Sequence, residues 1–442
     1  MSEARRLTTS KGSLDIMLTS TTKKRLAAGL AATALGASLA LGSSGSPAGA
    51  DPTQLSAYVG VGSDTTQDVM NALSGFNVGK SYTAINSGAT GNYKHIISFD
   101  AAPAQSASDN CITPVINGPT FTRPNGSGAG RKALAAANGQ TAWTGKVFAL
   151  DNGSTLPICA TSVNLQGAVQ FARSSALAST AGSDVVFVPF GRDAMSFASY
   201  RPGGGTPLTT LTRKQLIDIF NSPTLLTVAD PDGAGTLTVI PCGIQTSSGT
   251  HQFWRDTVVK STSAKEAAAT LTCTPTEVSR LQESKGDLLK IKGDALDATF
   301  NDFVVISGYS AAAYIAQANL VSVANGFNEV VLGEISDDSE AGTGGTNLGS
   351  PLVGTAPNLT PNPTFFASAG HGRDVYNVIK RSNLVNTGTG VQLNNAYTAL
   401  FAGPTSAICS TAGQTTVNKF GFASIAACGS LALARGYEAG AS

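Results

Sequence analysis

The chain predicts an α/β architecture of two lobes around a hinge and a central cleft, on three observations. Short apolar runs alternate with amphipathic segments of helical period, the pattern of strands that feed helices. The alternation runs to residue 189 and restarts at residue 211. The chain's 442 residues exceed one ordinary hydrophobic core. Lobe one is read as residues 51–190 plus 331–442 and lobe two as residues 191–330, with the hinge near Val188-Pro189-Phe190-Gly191.

The elements follow in order. Residues 55–61 read as a strand that ends in the turn Gly60-Val61-Gly62-Ser63-Asp64-Thr65. A helix follows, with Asp64 as its cap, Gln67 at capping-box spacing, Val69, Met70 and Leu73 on its apolar face, and Gly75 as its stop. Residues 82–85 read as a strand. A second turn, Gly126-Ser127-Gly128-Ala129-Gly130, opens a helix over 131–137, and 166–172 reads as another helix. Residues 184–189 form an apolar strand of the buried parallel type. Residues 211–220 make an amphipathic helix capped by Thr212. The strand 236–241 feeds a third turn, Ser247-Ser248-Gly249-Thr250. A helix over 251–259 then buries Phe253, Trp254, Thr257 and Val258. Strand 304–306, Gly308-Tyr309 and an Ala-rich helix to Gln317 repeat the strand–turn–helix order. Residues 337–363 read as a long surface loop. Residues 375–379 read as a strand and 395–401 as a helix.

Composition points outside the cell. Apolar residues make up 42% of the chain and charged residues only 13%, with 49 glycines, a balance that suits a loop-rich secreted protein. Lys23-Lys24-Arg25, the apolar stretch 26–41 and Ala48-Gly49-Ala50 have the order of a signal peptide over residues 1–50, with the part before Met17 as an extension. The apolar stretch is too short and too Gly/Ala-rich for a membrane anchor, so no span is expected after processing. The first 50 residues hold six Lys/Arg and two acids, so the mature chain carries 23 basic and 26 acidic residues, a net of −3. No basic run is present to hold nucleic acid or an anionic membrane. The first cysteine is Cys111, far from the leader, which argues against a lipid anchor on cysteine and for a free or wall-associated extracellular protein.

The six cysteines are Cys111, Cys159, Cys242, Cys273, Cys409 and Cys428. An even count in an exported chain reads as disulfides, and the lack of any CxxC pair disfavours zinc. The sequential pairing Cys111–Cys159, Cys242–Cys273 and Cys409–Cys428 is expected, because each bridge closes a modest loop within one lobe.

The chemistry lies in the three turns. Each opens a helix, where backbone N–H groups lack intrahelical partners and carry partial positive charge. Glycine lets the backbone approach a ligand, and hydroxyls add donors. Several such ends aimed at one point make an anion site. The candidates are Asp64 and Thr65 in the first turn, Ser127 and Gly128 in the second, and Ser248, Gly249 and Thr250 in the third. Caps alone would also explain Ser127, Ser248 and Asp64. His251 follows the third turn as a first-turn residue. His95 and His371 have no partners at metal spacing, Trp143 and Trp254 read as core, and Arg192-Asp193 reads as a structural pair beside the hinge. No Gly-x-Ser-x-Gly elbow, Walker lysine motif or His-Glu-x-x-His is present. With three histidines there is little material for acid–base work. The chain is therefore read as a non-enzyme without cofactor or metal, and a hydrolase using Ser248 and His251 is the minor alternative.

These segments resemble the phosphate-type substrate-binding proteins of ABC transporters, most of all their secreted actinobacterial branch. Gly60-Val61-Gly62-Ser63-Asp64-Thr65 is similar to the family's Gly-x-Gly-x-Thr turn, and Gly126-Ser127-Gly128-Ala129-Gly130 to its Gly-Ser-Ser-Gly-Gly helix start. Phe171-Ala172-Arg173-Ser174-Ser175 resembles its Phe-Gly-x-Ser-Asp segment, and Ser248-Gly249-Thr250 matches its Ser-Gly-Thr turn. Gly308-Tyr309, with Tyr314 and Gln317, resembles a further strand–helix segment. The resemblance implies a type II periplasmic-binding fold and a monomer that closes on a tetrahedral oxyanion, most of all phosphate. It also implies delivery to a membrane permease with its ATPase. Two departures stand out: Ser175 replaces the family's aspartate, and Ile244-Gln245 occupy the region of its arginine. Asp64 and Arg173 are the new charged groups; either the two roles have moved to them or the ligand has changed. A secreted surface-interaction protein of the same fold is the alternative function.

Overall fold

The apolar run that begins at Val185 does not stop at residue 189. The computed structural model of the protein describes residues 58–75, 80–86, 96–103, 108–140, 156–159, 163–233, 235–262, 265, 273, 280–321 and 329–438. The expected leader, His95 and Trp143 lie outside them. Within them, Val185–Tyr200 is one strand of 16 residues. Pro189 interrupts its apolar run without breaking it, because the pairing shifts there: Val375 faces Gly191 and Tyr376 faces Pro189, so Phe190 is skipped. Proline, which has no N–H to give, is tolerated in sheets at such bulges.

This strand is the spine of a ten-stranded mixed sheet. In chain order its strands are β1 Tyr58–Gly62, β2 Ile96–Ser98, β3 Phe171–Ser174, β4 Val185–Tyr200, β5 Leu226–Ala229, β6 Thr236–Cys242, β7 Phe303–Ser310, β8 Val331–Leu332, β9 Gly372–Lys380 and β10 Ala434–Arg435. The path across the sheet is β2-β1-β3-β9-β4-β7-β6-β5, with β8 and β10 also paired to β4. The first half of β4 lies with β1, β2, β3 and β9; its second half pairs β7 and β8. The helices that follow strands are α1 Gln67–Leu73, α2 Ser127–Ala137, α3 Arg213–Asn221, α4 Gly249–Phe253, α5 Gly286–Leu296 and α6 Ala311–Ala318. A π-helical turn, Trp254–Val258, prolongs α4.

Burial explains the two-sided packing. Along the first half of β4, Val185 and Phe187 enter one apolar cluster, while Val186, Val188 and Phe190 enter another. That is the period of two expected of a strand covered on both faces. Ala194, Met195, Phe197, Ala198 and Tyr200 enter a third cluster around β6, β7, α3 and Trp254, which is core as read. Val330 to Phe366 supply apolar residues to that third cluster, whereas the sequence reading returns the chain to lobe one at residue 331.

Thr212 caps α3 in a full capping box with Gln215, as the sequence spells out. The residue 337–363 segment is largely irregular, with one short pairing of Leu352–Val353 to Thr360–Pro361. The three disulfides join Cys111 to Cys159, Cys242 to Cys273 and Cys409 to Cys428, the sequential pairing. No helix among the described residues is long and apolar enough to cross a membrane.

Five local expectations are corrected. The strand read at residues 184–189 is not of the parallel type: every strand paired to β4 runs antiparallel to it, because a continuous apolar run reports burial on both faces and not strand direction. Residues 82–85 pair with no strand; the Tyr82 hydroxyl donates to the Val321 carbonyl and Ile85 N–H to the Leu73 carbonyl. Residues 166–172 are not helical, because Gly167 takes a φ of 77° and Phe171 opens the buried strand β3. Asp64 does not cap α1; the cap position is Thr66, without a side-chain bond. Arg192 and Asp193 do not pair with each other. Each reaches across to β9, Arg192 to Asp374 and Asp193 to Arg373.

Candidate functional site

The three turns meet. α2 begins at Ser127 and α4 at Gly249, and the backbones of their turns touch: Gly128 N–H donates to the Ser247 carbonyl at 3.0 Å. The Ser247 hydroxyl donates to the Asn125 carbonyl at 2.6 Å. The approach is so close that a Cβ on Gly249 would lie 2.4 Å from Ser127 Oγ and 2.6 Å from Ser175 Oγ. This glycine is required by proximity, not by its backbone angles.

Around that contact the hydroxyls gather into a ring of two separate hydrogen-bonded groups. Ser63 Oγ donates to Ser175 Oγ at 3.2 Å, and Ser175 N–H donates to Ser127 Oγ at 3.0 Å. The Thr65 and Thr250 hydroxyls share a hydrogen bond of 2.8 Å. Ser248 caps α4, accepting from Thr250 and His251 N–H. Ser63, Thr65, Ser127, Ser175, Ser248 and Thr250 are all buried. A buried cluster of hydroxyls this dense is unusual, because each must find a partner away from water.

The guanidinium of the cluster is Arg373, at the start of β9. Its Nη2 donates to Thr250 Oγ1 at 2.8 Å, Thr65 Oγ1 at 3.3 Å and Asp193 Oδ2 at 2.8 Å, and its Nε donates to Asp193 at 3.2 Å. Its Nη1 is buried with no hydrogen-bond partner among the described residues. The Phe253 ring lies 5.7 Å from its Cζ. Asp193 is held in turn by the Ser310 hydroxyl and Ala312 N–H at the start of α6. The pair is thus fixed by three elements, and the two N–H donors of Nη1 are left over.

A carboxylate lies on another side of the ring. Glu283, fully buried, accepts from Thr65 N–H at 3.2 Å and from the Ser248 hydroxyl. Its own N–H donates to Gln245 Oε1 at 2.8 Å.

The sequence-derived site residues fall into two groups. Thr65, Ser127, Gly128, Ser175, Ser248, Gly249 and Thr250 are brought together. Asp64 and Arg173 are placed elsewhere. Asp64 accepts from the Gln282 side chain and lines a small cavity with Asp68 and Lys285. Burial pushes its carboxyl up to about 7, with the Lys285 ammonium pulling the other way. Arg173 is fully buried and spends its donors on the Gly60, Gly62, Ser63 and Phe99 carbonyls and the Ser98 hydroxyl. It ties β1, β2 and the first turn together. Burial lowers its guanidinium to about 10, still charged at neutral pH.

Arg373, Asp193, Glu283 and Ser63 were missed. A signal existed for the first two: Gly191-Arg192-Asp193 and Gly372-Arg373-Asp374 are the same tripeptide in two largely buried strands. His251 and His371 are buried, and the His371 Nδ1 meets the Met195 carbonyl at 2.8 Å. Burial lowers the His371 imidazole to about 4, so it is neutral.

No family model matches the chain, and no curated protein matches it. Solved structures do. A candidate phosphate ABC transporter substrate-binding protein with bound phosphate from Clostridium perfringens is 13% identical, at a TM-score of 0.41, over 84% of this chain and 99% of that one. PstS from Borrelia burgdorferi is 11% identical at a TM-score of 0.34, over 84% and 98% of the two chains. A phosphate-binding protein from Stenotrophomonas maltophilia is 14% identical at 0.36, over 84% and 91%. The structural neighbours named here are phosphate-binding proteins. Overlap and identity are low, and the site's own geometry carries the functional reading.

Proposed function

We propose that the protein is a secreted solute-binding protein that captures a tetrahedral oxyanion, phosphate first among them, between the turns at Thr65, Ser127 and Ser248–Thr250. The observation that carries this reading is the ring of buried hydroxyls with the buried, unpartnered Nη1 of Arg373 beside it. A charged fork donor left over in a dry site is costly unless an anion meets it. Without a ligand the hydroxyls bond to one another. With one they turn their donors onto its oxygens, and the two turns separate to admit it by a hinge motion.

Glu283 favours phosphate over sulfate. It occupies Thr65 N–H and the Ser248 hydroxyl, so an entering anion meets a carboxylate. Phosphate keeps a proton at neutral pH and can donate it to that carboxylate; sulfate offers only lone pairs. The acidic role that the sequence reading gave to Asp64 is therefore proposed for Glu283, and the basic role given to Arg173 for Arg373. Delivery to a permease is the physiological role this reading implies. Calorimetric titration with phosphate and sulfate tests the reading. One phosphate per chain, bound more tightly than sulfate, is expected. No heat, and no rise in melting temperature at millimolar phosphate, would sink it.

A further inference from the structure

The ring is closed on one side and open on another. Beside Asp64 and Lys285 the cavity is about 30 Å³, room for a water. Beyond Ser175 and Arg373, which belong to the ring, lies a cavity of about 350 Å³ between the 175–177 segment, α4 with its π turn, and β9. That is the size of a small-molecule pocket, far more than one inorganic anion fills.

We infer that this cavity is a subsite for the organic part of a phosphate monoester, so that the ligand class includes esters of small neutral polyols; the inference rests on the reading proposed above. The wall supplies the surfaces such a group needs. Leu177, Phe253 and Tyr376 give apolar and ring faces, and Thr257 and Gln252 give polar groups. The four charged residues on the wall, Arg192, Arg373, Asp256 and Asp374, balance in sign, and each has an opposite partner: Arg192 and Asp374 pair with each other, while Arg373 pairs with Asp193 and Asp256 with Arg255, neither of which lines the cavity. No net charge is left to require an ionic substituent. Ser175 stands at the junction, and its chemistry fits. A phosphate monoester keeps three free oxygens for the hydroxyl ring and Arg373, and since its second ionisation lies at about pH 6, its monoanion, with one of those oxygens still protonated for Glu283, is the form the site takes. Its fourth oxygen is esterified and carries no proton. A hydroxyl can donate to that oxygen, whereas a carboxylate at this position would have nothing to accept from it. Glu283 contacts Thr65 and Ser248, which do not line the cavity, so the ester oxygen can point away from it.

The test is calorimetric titration of the protein at about pH 6, where a large share of each ester still carries a proton for Glu283, with inorganic phosphate, glycerol 3-phosphate and glucose 6-phosphate, each alone and in competition. At least one ester is expected to bind within about tenfold of phosphate and to displace it. Thr257→Trp, which fills the cavity, is expected to lower the ester-to-phosphate affinity ratio by at least about tenfold. Phosphate binding with both esters weaker by more than about a hundredfold overturns the subsite and leaves the phosphate reading standing. Failure of all three ligands to bind overturns both. Should Thr257→Trp not fold, the titrations of the unaltered protein still decide.

Discussion

Two copies of Gly-Arg-Asp, at residues 191–193 and 372–374, face each other across antiparallel strands and make two reciprocal ion pairs with different surroundings. Arg373–Asp193 is buried, with side-chain exposures of 3% and 0%, while Arg192–Asp374 stands at the cleft rim with 27% on each side. The buried pair is held by Ser310, Ala312 and two threonines, and Arg373 Nη1 is left without a hydrogen-bond partner among the described residues. The rim pair has water for company. The same two tripeptides thus make a buried pair beside the hydroxyl cluster at one register position and an exposed link at the next. What separates them is solvent, which screens the second and leaves the first dependent on its partners.

Breaking the buried pair should have the largest effect. Arg373→Met strands Asp193 without its cation, and loss of one partner of a buried pair costs about 3–5 kcal/mol. A fall in the denaturation midpoint of that order, with no measurable anion binding, is expected. Arg373→Lys keeps charge but loses the fork, and its affinity for phosphate should fall by roughly ten- to a hundredfold, the worth of one charge-assisted bond. Titration of a folded Lys variant with wild-type affinity would remove Arg373 from the site.

Glu283→Gln sharpens the comparison by removing the carboxylate that opposes Arg373. The phosphate-over-sulfate preference should shrink by about tenfold or more, mostly through better sulfate binding. An unchanged ratio in paired titrations would make Glu283 a structural acceptor only.

Asp64→Asn tests the neighbouring buried acid. Its folded-state value of about 7 lies above the ordinary carboxyl range, so the folded chain holds a proton that the unfolded chain has released. The stability this adds is full in acid and is lost as pH rises from about 4 towards 7. Asparagine cannot ionise and escapes that loss. The melting temperature of the variant relative to wild type should therefore climb between pH 5 and 7 and level off above. A flat difference would show that Asp64 is ionised throughout.

The smallest effect belongs to the rim. Asp374→Asn should cost about 0–1 kcal/mol, as half-exposed pairs do. A larger loss would mean that the two pairs act as one network, which a double variant with Arg192→Gln would expose as non-additivity.

The arginines mark where reading along the chain stops. Arg173 and Arg373 are both buried on neighbouring strands, and sequence favours the one beside the Ser174-Ser175 hydroxyls. In the fold Arg173 turns its donors onto the carbonyl ends of its own layer, which would otherwise be buried without partners. Glu283 has no local motif at all, and it reaches Thr65 across 218 residues of chain.

What the sequence determined by itself was everything whose cause is local. The Thr212 cap, the Ser248 cap, the glycine turns that open α2 and α4, and the buried apolar strand at the start of β4 follow from residues within a few positions of each other, whereas the direction of that strand's partners does not. The pairing of cysteines was legible too, because short loops close most readily. Which charged groups border the ring follows from long-range packing. Thr65 and Arg373 stand 308 residues apart and meet through strand order and register. A shift of one position along β9 would exchange Arg373 for Asp374 at that place. Register is set by the apolar faces of β4 and β9 and by the bulge at Phe190, so which cation stands beside the hydroxyls is settled by packing, not by any motif around it.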